Sequence, residues 1–304
     1  MYLICGEALF DFFFGPGDDP AKCDVNGRAG GSPFNVAIGI SRLEGKSALF
    51  TGLSTDLLGQ RLAAVLAGEG VSTSYLHRTE KQTTLSLVGL DAAGHPAYAF
   101  YGKGTADTSL TEFDLPALGD DVVGIHMGSY SLAVSPTADS LAKLAARESH
   151  RFLSLDPNIR PTIEPSMEVW KQRLDTLKPH ADLVKVSAED LDMLGFTADE
   201  FAKSYLDANA ALVVVTDGGG AARGWHRSGM TSHATPPAIT VVDTVGAGDT
   251  FMAALLAELG DSPREKLDAM DQYGLDALLG FASRAAAVTC TRQGADLPTR
   301  ADIG

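Results

Sequence analysis

Ile239-Thr240-Val241-Val242-Asp243-Thr244-Val245-Gly246-Ala247-Gly248-Asp249-Thr250-Phe251 is the most informative stretch of the chain. A β-branched run leads into a turn of small residues. A helical pattern follows, with Phe251, Leu255 and Leu259 at i, i+4 and i+8. Gly246-Ala247-Gly248 carries little side-chain bulk, so backbone N–H groups at the helix start can approach a ligand closely. Free N–H groups at the positive end of a helix make an anion site suited to phosphate. Asp249 stands in the first turn of that helix, directed into the same site. A carboxylate is useful beside a phosphate when it takes the proton of the group attacking phosphorus. An acid that merely complements the helix dipole is the other reading of Asp249.

A second motif, Gly30-Gly31-Ser32-Pro33-Phe34-Asn35-Val36-Ala37, lies near the other end of the chain. Gly30-Gly31 lets backbone come close to a ligand. Ser32 suits a helix N-cap and Pro33 the first helical position. Asn35 then offers a donor and an acceptor from the first turn, which suits a sugar hydroxyl. A tight turn followed by a capped helix with no ligand is the alternative.

Between the two motifs, short apolar runs alternate with amphipathic stretches. Strands are expected at Tyr2–Cys5, Ala48–Leu53, Val122–Met127, Phe152–Asp156, Leu183–Val186 and Leu212–Thr216. Helices are expected around Gly59–Ala67, Asp139–Arg147 and Met167–Leu177. Such alternation reads as an α/β fold, a mostly parallel sheet flanked by helices. Sheets of this kind bind ligands beyond the carboxyl ends of their strands. Thr83–Leu90 and Ala97–Tyr101, across Asp91-Ala92-Ala93-Gly94-His95-Pro96, look like a hairpin. Phe10–Phe14, ending in Gly15-Pro16-Gly17-Asp18-Asp19-Pro20, looks like a strand leaving the main layer. These segments predict a small β-lid, from about 10–28 and 76–107, inserted in a single domain spanning 1–304.

Composition narrows the function classes. The chain has 304 residues, 45% hydrophobic and 21% charged, which is ordinary for a globular protein with a sizeable core. With 24 Lys and Arg against 39 Asp and Glu, the formal net charge is −15. That balance argues against nucleic-acid or anionic-membrane binding, which needs clustered cations. Cys5, Cys23 and Cys290 are widely spaced with no CxxC, as expected of reduced thiols in a cytoplasmic protein. The seven histidines show no metal-ligand spacing. The N-terminus has no basic n-region of a signal peptide, and no apolar run reaches the 18 residues of a membrane helix. Gly45-Lys46-Ser47 is not a P-loop, because Gly39 falls one residue too early and the segment follows a helix. No Gly-x-Gly-x-x-Gly follows the first strand, which disfavours a dinucleotide oxidoreductase.

Asp243-Thr-Val-Gly-Ala-Gly-Asp249-Thr-Phe, together with the Gly30-Gly31 motif, strongly resembles the signatures of ribokinase-like (PfkB-type) carbohydrate kinases. The resemblance runs from Cys5-Gly6-Glu7 to Gly294-Ala295. It implies that Asp249 is the general base and that the backbone of Gly246, Ala247 and Gly248 is the anion hole for the transferring phosphoryl group. It implies that Asp11, Gly30, Gly31 and Asn35 hold sugar hydroxyls, with Tyr101 and Arg160 as further substrate contacts. Thr216 and Gly218, in Thr216-Asp217-Gly218-Gly219-Gly220, match the nucleotide loop, although Ala221 stands where the family usually places its second glycine. Ser283, in Ala282-Ser283, replaces an asparagine often found beside the nucleotide. The family's Asn-x-x-Glu element corresponds to Ser187-Ala188-Glu189-Asp190, so Glu189 or Asp190 would help place magnesium. Asp243 and the Val245 carbonyl match part of a monovalent-cation site, and potassium activation is a hypothesis. The implied cofactors are therefore ATP, Mg²⁺ and K⁺.

Gly6-Glu7-Ala8-Leu9-Phe10-Asp11, His126-Met127-Gly128-Ser129-Tyr130-Ser131-Leu132 and Asp156-Pro157-Asn158-Ile159-Arg160 are most similar to fructokinases within the family. A 2-keto-3-deoxygluconate kinase shares the last element, but its acidic substrate favours arginines near the site. The position after Tyr101, often arginine in both groups, is Gly102 here, and a neutral ketohexose is the expected acceptor. A nucleoside kinase and a sugar-binding regulatory protein without turnover are the further alternatives. The partners expected are the sugar and ATP, and a second copy of the chain could pair with the exposed lid edges as a homodimer.

Overall fold

The computed structural model describes residues 1–15, 21–90 and 96–304. In chain order, β1 (Tyr2–Cys5), β2 (Leu9–Phe14) and β3 (Val25–Gly30) precede α1 (Ser32–Arg42), β4 (Ser47–Phe50), β5 (Gly52–Ser54) and α2 (Leu57–Gly68). Next come β6 (His77–Thr79), β7 (Leu85–Leu90), β8 (Pro96–Tyr101), β9 (Gly124–Gly128), α3 (Thr137–Arg147), β10 (Phe152–Asp156) and α4 (Met167–Leu177). β11 (Leu183–Ser187), α5 (Ala188–Leu194), α6 (Ala198–Leu206), β12 (Leu212–Thr216), β13 (Ala222–His226) and β14 (Thr231–Ala234) lead to α7 (Ala247–Leu259). α8 (Pro263–Asp268), α9 (Gln272–Cys290) and α10 (Arg300–Ile303) complete the chain.

The main sheet has the order β14-β13-β12-β11-β10-β9-β1-β4. Its six strands from β12 to β4 are parallel, and β13 and β14 are added antiparallel at one edge. The expected parallel core is therefore present, with an antiparallel margin that short apolar runs did not announce. Alternate residues of each strand enter two separate cores, as the two-residue period requires. Tyr2, Ile4, Phe152, Leu183 and Val214 pack with α1, α7 and α9, while Leu3, Cys5, Leu153, Val184 and Val213 pack with α3, α4, α5 and α6.

A smaller sheet, β3-β2-β7-β8, stands apart from the main one. Its two hairpins meet through a parallel β2–β7 pairing. The expected turns at 16–20 and 91–95 lie outside the described residues. Within the segment 76–84, β6 pairs with β5 instead of this sheet, and the Thr84 carbonyl reaches it, accepting the Phe10 amide at 3.2 Å. The expected strand Ala48–Leu53 breaks in two for a steric reason. A Cβ on Gly52 would sit 2.0 Å from the carbonyl oxygen of Ala106, so another backbone crosses there. The β-branched run Ile239–Val242 belongs to no strand. It hangs instead from the end of α9, where the Cys290 carbonyl accepts the amides of Val242 and Asp243 at 2.8 and 3.3 Å.

Candidate active site

The start of α7 lies beside the start of α1, and these two helix ends assemble the centre of the site. Gly246 caps α7 with φ of 81°, and a Cβ on it would lie 2.7 Å from the Cβ of Ala295. Both the left-handed conformation and the close approach call for glycine. Of the expected anion hole, the Ala247 amide turns back to the Thr244 carbonyl at 3.2 Å, whereas the amides of Gly246 and Gly248, and that of Asp249 beside them, have no protein acceptor among the described residues. Three unpartnered donors at a helix N-terminus are suited to receive an anion.

Asp249 is buried in the first turn of α7. Ser32 Oγ donates to its Oδ1 at 2.6 Å, and Asn35 Nδ2 donates to its Oδ2 at 2.8 Å. The sequence suggested Ser32 as the N-cap of α1, but the cap is Gly31, with φ of 113°. A Cβ on Gly31 would meet the Glu7 carbonyl oxygen at 2.7 Å. Moving the cap to Gly31 frees the serine hydroxyl to hold the carboxylate. Each Asp249 oxygen keeps further lone pairs for a substrate proton.

Asp11, on β2, lies over Gly30, where an added Cβ would come within 2.8 Å of Asp11 Oδ2. Burial pushes its carboxyl above the usual range, opposed by a hydrogen bond with Ser86 and by the Arg160 guanidinium. Arg160 follows Asn158, whose φ of 41° turns the chain after β10, and its side chain is exposed. Asp11, Gly30 and Arg160 therefore face one another, and Asn35 joins Asp249. Tyr101 ends β8 with an exposed side chain.

Thr216 closes β12, Gly218 follows with φ of 45°, and Ser283 is buried within α9. Asp243 Oδ1 accepts the Val245 amide at 3.1 Å and Oδ2 the Gly294 amide at 2.8 Å. Asp243 lies below the usual carboxylate range: partial burial raises it, but the amides of Val245, Gly294 and Thr244 outweigh that effect. Asp190 is buried at the start of α5, accepting the Ile159 amide at 2.8 Å and the Ser187 amide at 3.2 Å. Its neighbour Glu189 is exposed. Among the described residues no cluster of three or more His, Cys, Asp or Glu side chains could hold a metal by itself.

Lys185 and Asp156 received no role from the sequence. Lys185 Nζ donates to Asp156 Oδ2 at 2.7 Å, with both side chains buried, and a Cβ on Gly248 would lie 3.1 Å from Lys185 Nζ. The signal available was a lysine inside the apolar strand Leu183–Ser187, since a buried ammonium requires a partner.

Three comparisons bear on this geometry. The model of the pfkB family carbohydrate kinases matches residues 7–302. The fructokinase of Rhizobium leguminosarum bv. trifolii is 40% identical over 265 residues, covering 85% of this chain and 79% of that protein. The crystal structure of fructokinase with bound ATP from Xylella fastidiosa superposes with a TM-score of 0.88 at 28% identity, covering 99% of this chain and 96% of that one. A double mutant of fructokinase from Vibrio cholerae O395, in a form with bound fructose, ADP and potassium ion, gives 0.84 at 27% identity, with 99% and 96% covered.

Proposed function

The chain belongs to the pfkB family of carbohydrate kinases and is an ATP-dependent sugar kinase, and within that activity we propose that its acceptor is a hydroxyl of fructose. The observation that carries the mechanism is the buried Asp249 carboxylate, held by Ser32 and Asn35 beside the free amides of Gly246, Gly248 and Asp249. A hydroxyl brought to Asp249 gives up its proton as its oxygen attacks the γ-phosphorus of ATP. These amides then meet the charge on the phosphoryl oxygens where it develops.

Asp11 and Asn35 orient the sugar by accepting and donating hydrogen bonds, and Gly30 and Gly31 let it approach the backbone. Gly102 supports a neutral acceptor. A Cβ there would meet the Phe100 ring at 2.1 Å, so an arginine at this position would displace that ring. Arg160 beside Asp11 is the observation favouring a second reading, an acidic sugar such as 2-keto-3-deoxygluconate. Tyr101 completes the sugar side.

Thr216, Gly218 and Ser283 are assigned to ATP. Mg²⁺ fits a site where no cluster of described side chains could hold a metal by itself, because it favours phosphate oxygens and retained water. Glu189, exposed at the start of α5, or its buried neighbour Asp190 is assigned to its hydration shell. When bound, the ion neutralises charge on the phosphates. Asp243 and the Val245 carbonyl are assigned to a monovalent cation, a role supported by the potassium in the relative from Vibrio cholerae O395. Cytoplasmic ATP and the free thiols of Cys5, Cys23 and Cys290 suit each other. The smaller sheet acts as a lid excluding water, and through its exposed Phe13, Phe14 and Tyr101 it pairs with a second copy.

ADP release with Mg²⁺-ATP separates these readings across fructose, 2-keto-3-deoxygluconate, ribose and adenosine, each with and without K⁺. Selective, potassium-stimulated turnover of fructose is expected. Selective turnover of the keto-deoxy acid would keep Asp249 as base but reverse the argument from Gly102. Tight sugar binding with no ADP release would mean a binding protein that lacks turnover.

A further inference from the structure

Three parallel strands carry a line of polar side chains into the layer beneath α7. His126 on β9 is level with Ser154 on β10, and Asp156 follows two residues later on the same face. Lys185 on β11 stands beside Asp156. All four are buried. His126 Nδ1 pairs with Ser154 Oγ at 3.0 Å, and burial together with the Lys185 charge holds the imidazole down at about 3, so it is neutral. The permanent charges of the line are then Lys185 and the carboxylates around it. Asp156 is raised to about 6 by burial; Lys185 opposes the rise, and Asp190 and Asp249 add to it.

Two features are unexplained by packing. The Lys185 ammonium has three donors and gives one to Asp156; the others have no protein acceptor among the described residues. Its Nζ also lies against the Gly248 side of the anion hole, close enough that a Cβ there would come within 3.1 Å. A buried ammonium with unused donors at an anion site is costly unless an anion completes it. The helix N-terminus supplies only about half a positive charge to that site, far less than a transferring phosphoryl group carries.

We propose that Lys185, aimed by Asp156 through the opening left at Gly248, is a further catalytic residue that donates to the γ-phosphoryl group of ATP as it transfers. The inference rests on the phosphoryl-transfer reading of the Gly246–Asp249 turn. The ammonium stays protonated throughout. The proton of the sugar hydroxyl goes to Asp249, the bond between γ-phosphorus and the β–γ bridging oxygen breaks, and ADP leaves with those electrons. Asp156 is a positioning residue, accepting from Nζ on the side away from the phosphate. Glycine at position 248 then leaves the ammonium room to approach, since a Cβ there would press on Lys185 Nζ at 3.1 Å.

The test is Lys185→Met, which keeps the length of the stem, compared with the wild type by calorimetry and by turnover. Hydrogen bonds to a charged group set the scale, so ATP affinity is expected to fall roughly 10- to 100-fold while ADP affinity holds. The kcat should fall at least as far, with the KM for sugar unchanged. Asp156→Asn keeps the ammonium but loosens its aim, and should lower kcat while leaving ATP affinity nearer the wild-type value. Equal losses for ATP and ADP, or a wild-type kcat in Lys185→Met, would overturn the proposal. A protein whose wild type releases no ADP would refute the turnover reading instead. The ratio of ATP to ADP affinity would still decide the role of Lys185.

Discussion

At the scale of single residues, the site depends on side chains that hold other side chains. Ser32 matters through its 2.6 Å hydrogen bond to Asp249, which fixes one oxygen of the proposed base. Ser32→Ala is expected to lower kcat about tenfold, the worth of one charge-assisted hydrogen bond. The KM for sugar should change little, and steady-state kinetics checks both. A larger rise in KM than fall in kcat would make Ser32 a sugar contact. Gly246→Ala meets both a positive φ and the Ala295 methyl at 2.7 Å. Strain of this kind costs on the order of 1–3 kcal/mol, so a lower unfolding midpoint and a damaged anion hole should appear together. An unchanged melting temperature would show that the turn relaxes freely.

Residues of this sort divide into legible and hidden ones. Asp249, Gly246 and Asn35 could be found because each sits in a short local motif whose spacing already implies a helix start. Lys185 and Asp156 come together from neighbouring strands, and nothing local marks one as the partner of the other. Ser32 stood out in the sequence for the wrong reason, because cap preference alone cannot see a carboxylate brought in from α7.

At the scale of elements, the two chain segments that run between β1 and β2, and between β3 and α1, cross beside Glu7. Its Oε2 accepts Ser131 Oγ at 2.7 Å, and burial raises its carboxyl to about 7. Nearby, Asp107 accepts Tyr130 OH at 2.6 Å and the Thr84 hydroxyl, so the entry to β7 and the exit from β8 are tied to the same buried group of side chains. For a carboxyl whose folded value exceeds its unfolded one, the native state binds the extra proton. Stability is then lost as pH rises from the unfolded value near 4.5 through about 7. Glu7→Gln removes that loss, on the order of 3 kcal/mol between the two limits. Urea unfolding at pH 5 and pH 8 should show the wild type losing stability relative to the variant. Parallel behaviour at both pH values would mean that Glu7 is ionised or exposed to water in the native state.

Strand boundaries inside the parallel core were readable because a bounded apolar run of four or five residues has the length of a doubly covered strand and is too short for a core helix. Tyr2–Cys5, Phe152–Asp156 and Leu212–Thr216 match residue for residue. The departures have particular causes. The expected strand Ala48–Leu53 divides where the Ala106 backbone passes over Gly52, and the β-branched run Ile239–Val242, for which no strand was expected, is held by the Cys290 carbonyl at the end of α9. Both depend on segments distant in sequence.

At the scale of the molecule, the alternation of strands and helices gave the layered architecture, whereas association remained beyond its reach. The smaller sheet leaves Phe13, Phe14 and Tyr101 exposed at 38%, 40% and 59%. A chain with a net charge of −15 repels its copies unless such a surface brings them together. Sedimentation velocity at micromolar concentration should give twice the 31.8 kDa chain mass. Phe13→Glu with Phe14→Glu should return the protein to the single-chain mass. A wild type that sediments as a single chain would remove the lid from the assembly. No helix of the described residues is long and apolar enough to cross a membrane.

The mechanism turns on one proton. Asp249→Asn keeps the shape of the side chain and removes its basicity, so fructose-dependent ADP release at saturating Mg²⁺-ATP reads the loss of the base alone. The variant is expected to turn over roughly 10²- to 10⁴-fold more slowly than the wild type while still binding fructose. Turnover at the wild-type rate would show that the hydroxyl loses its proton elsewhere and that Asp249 is only the acid completing a helix.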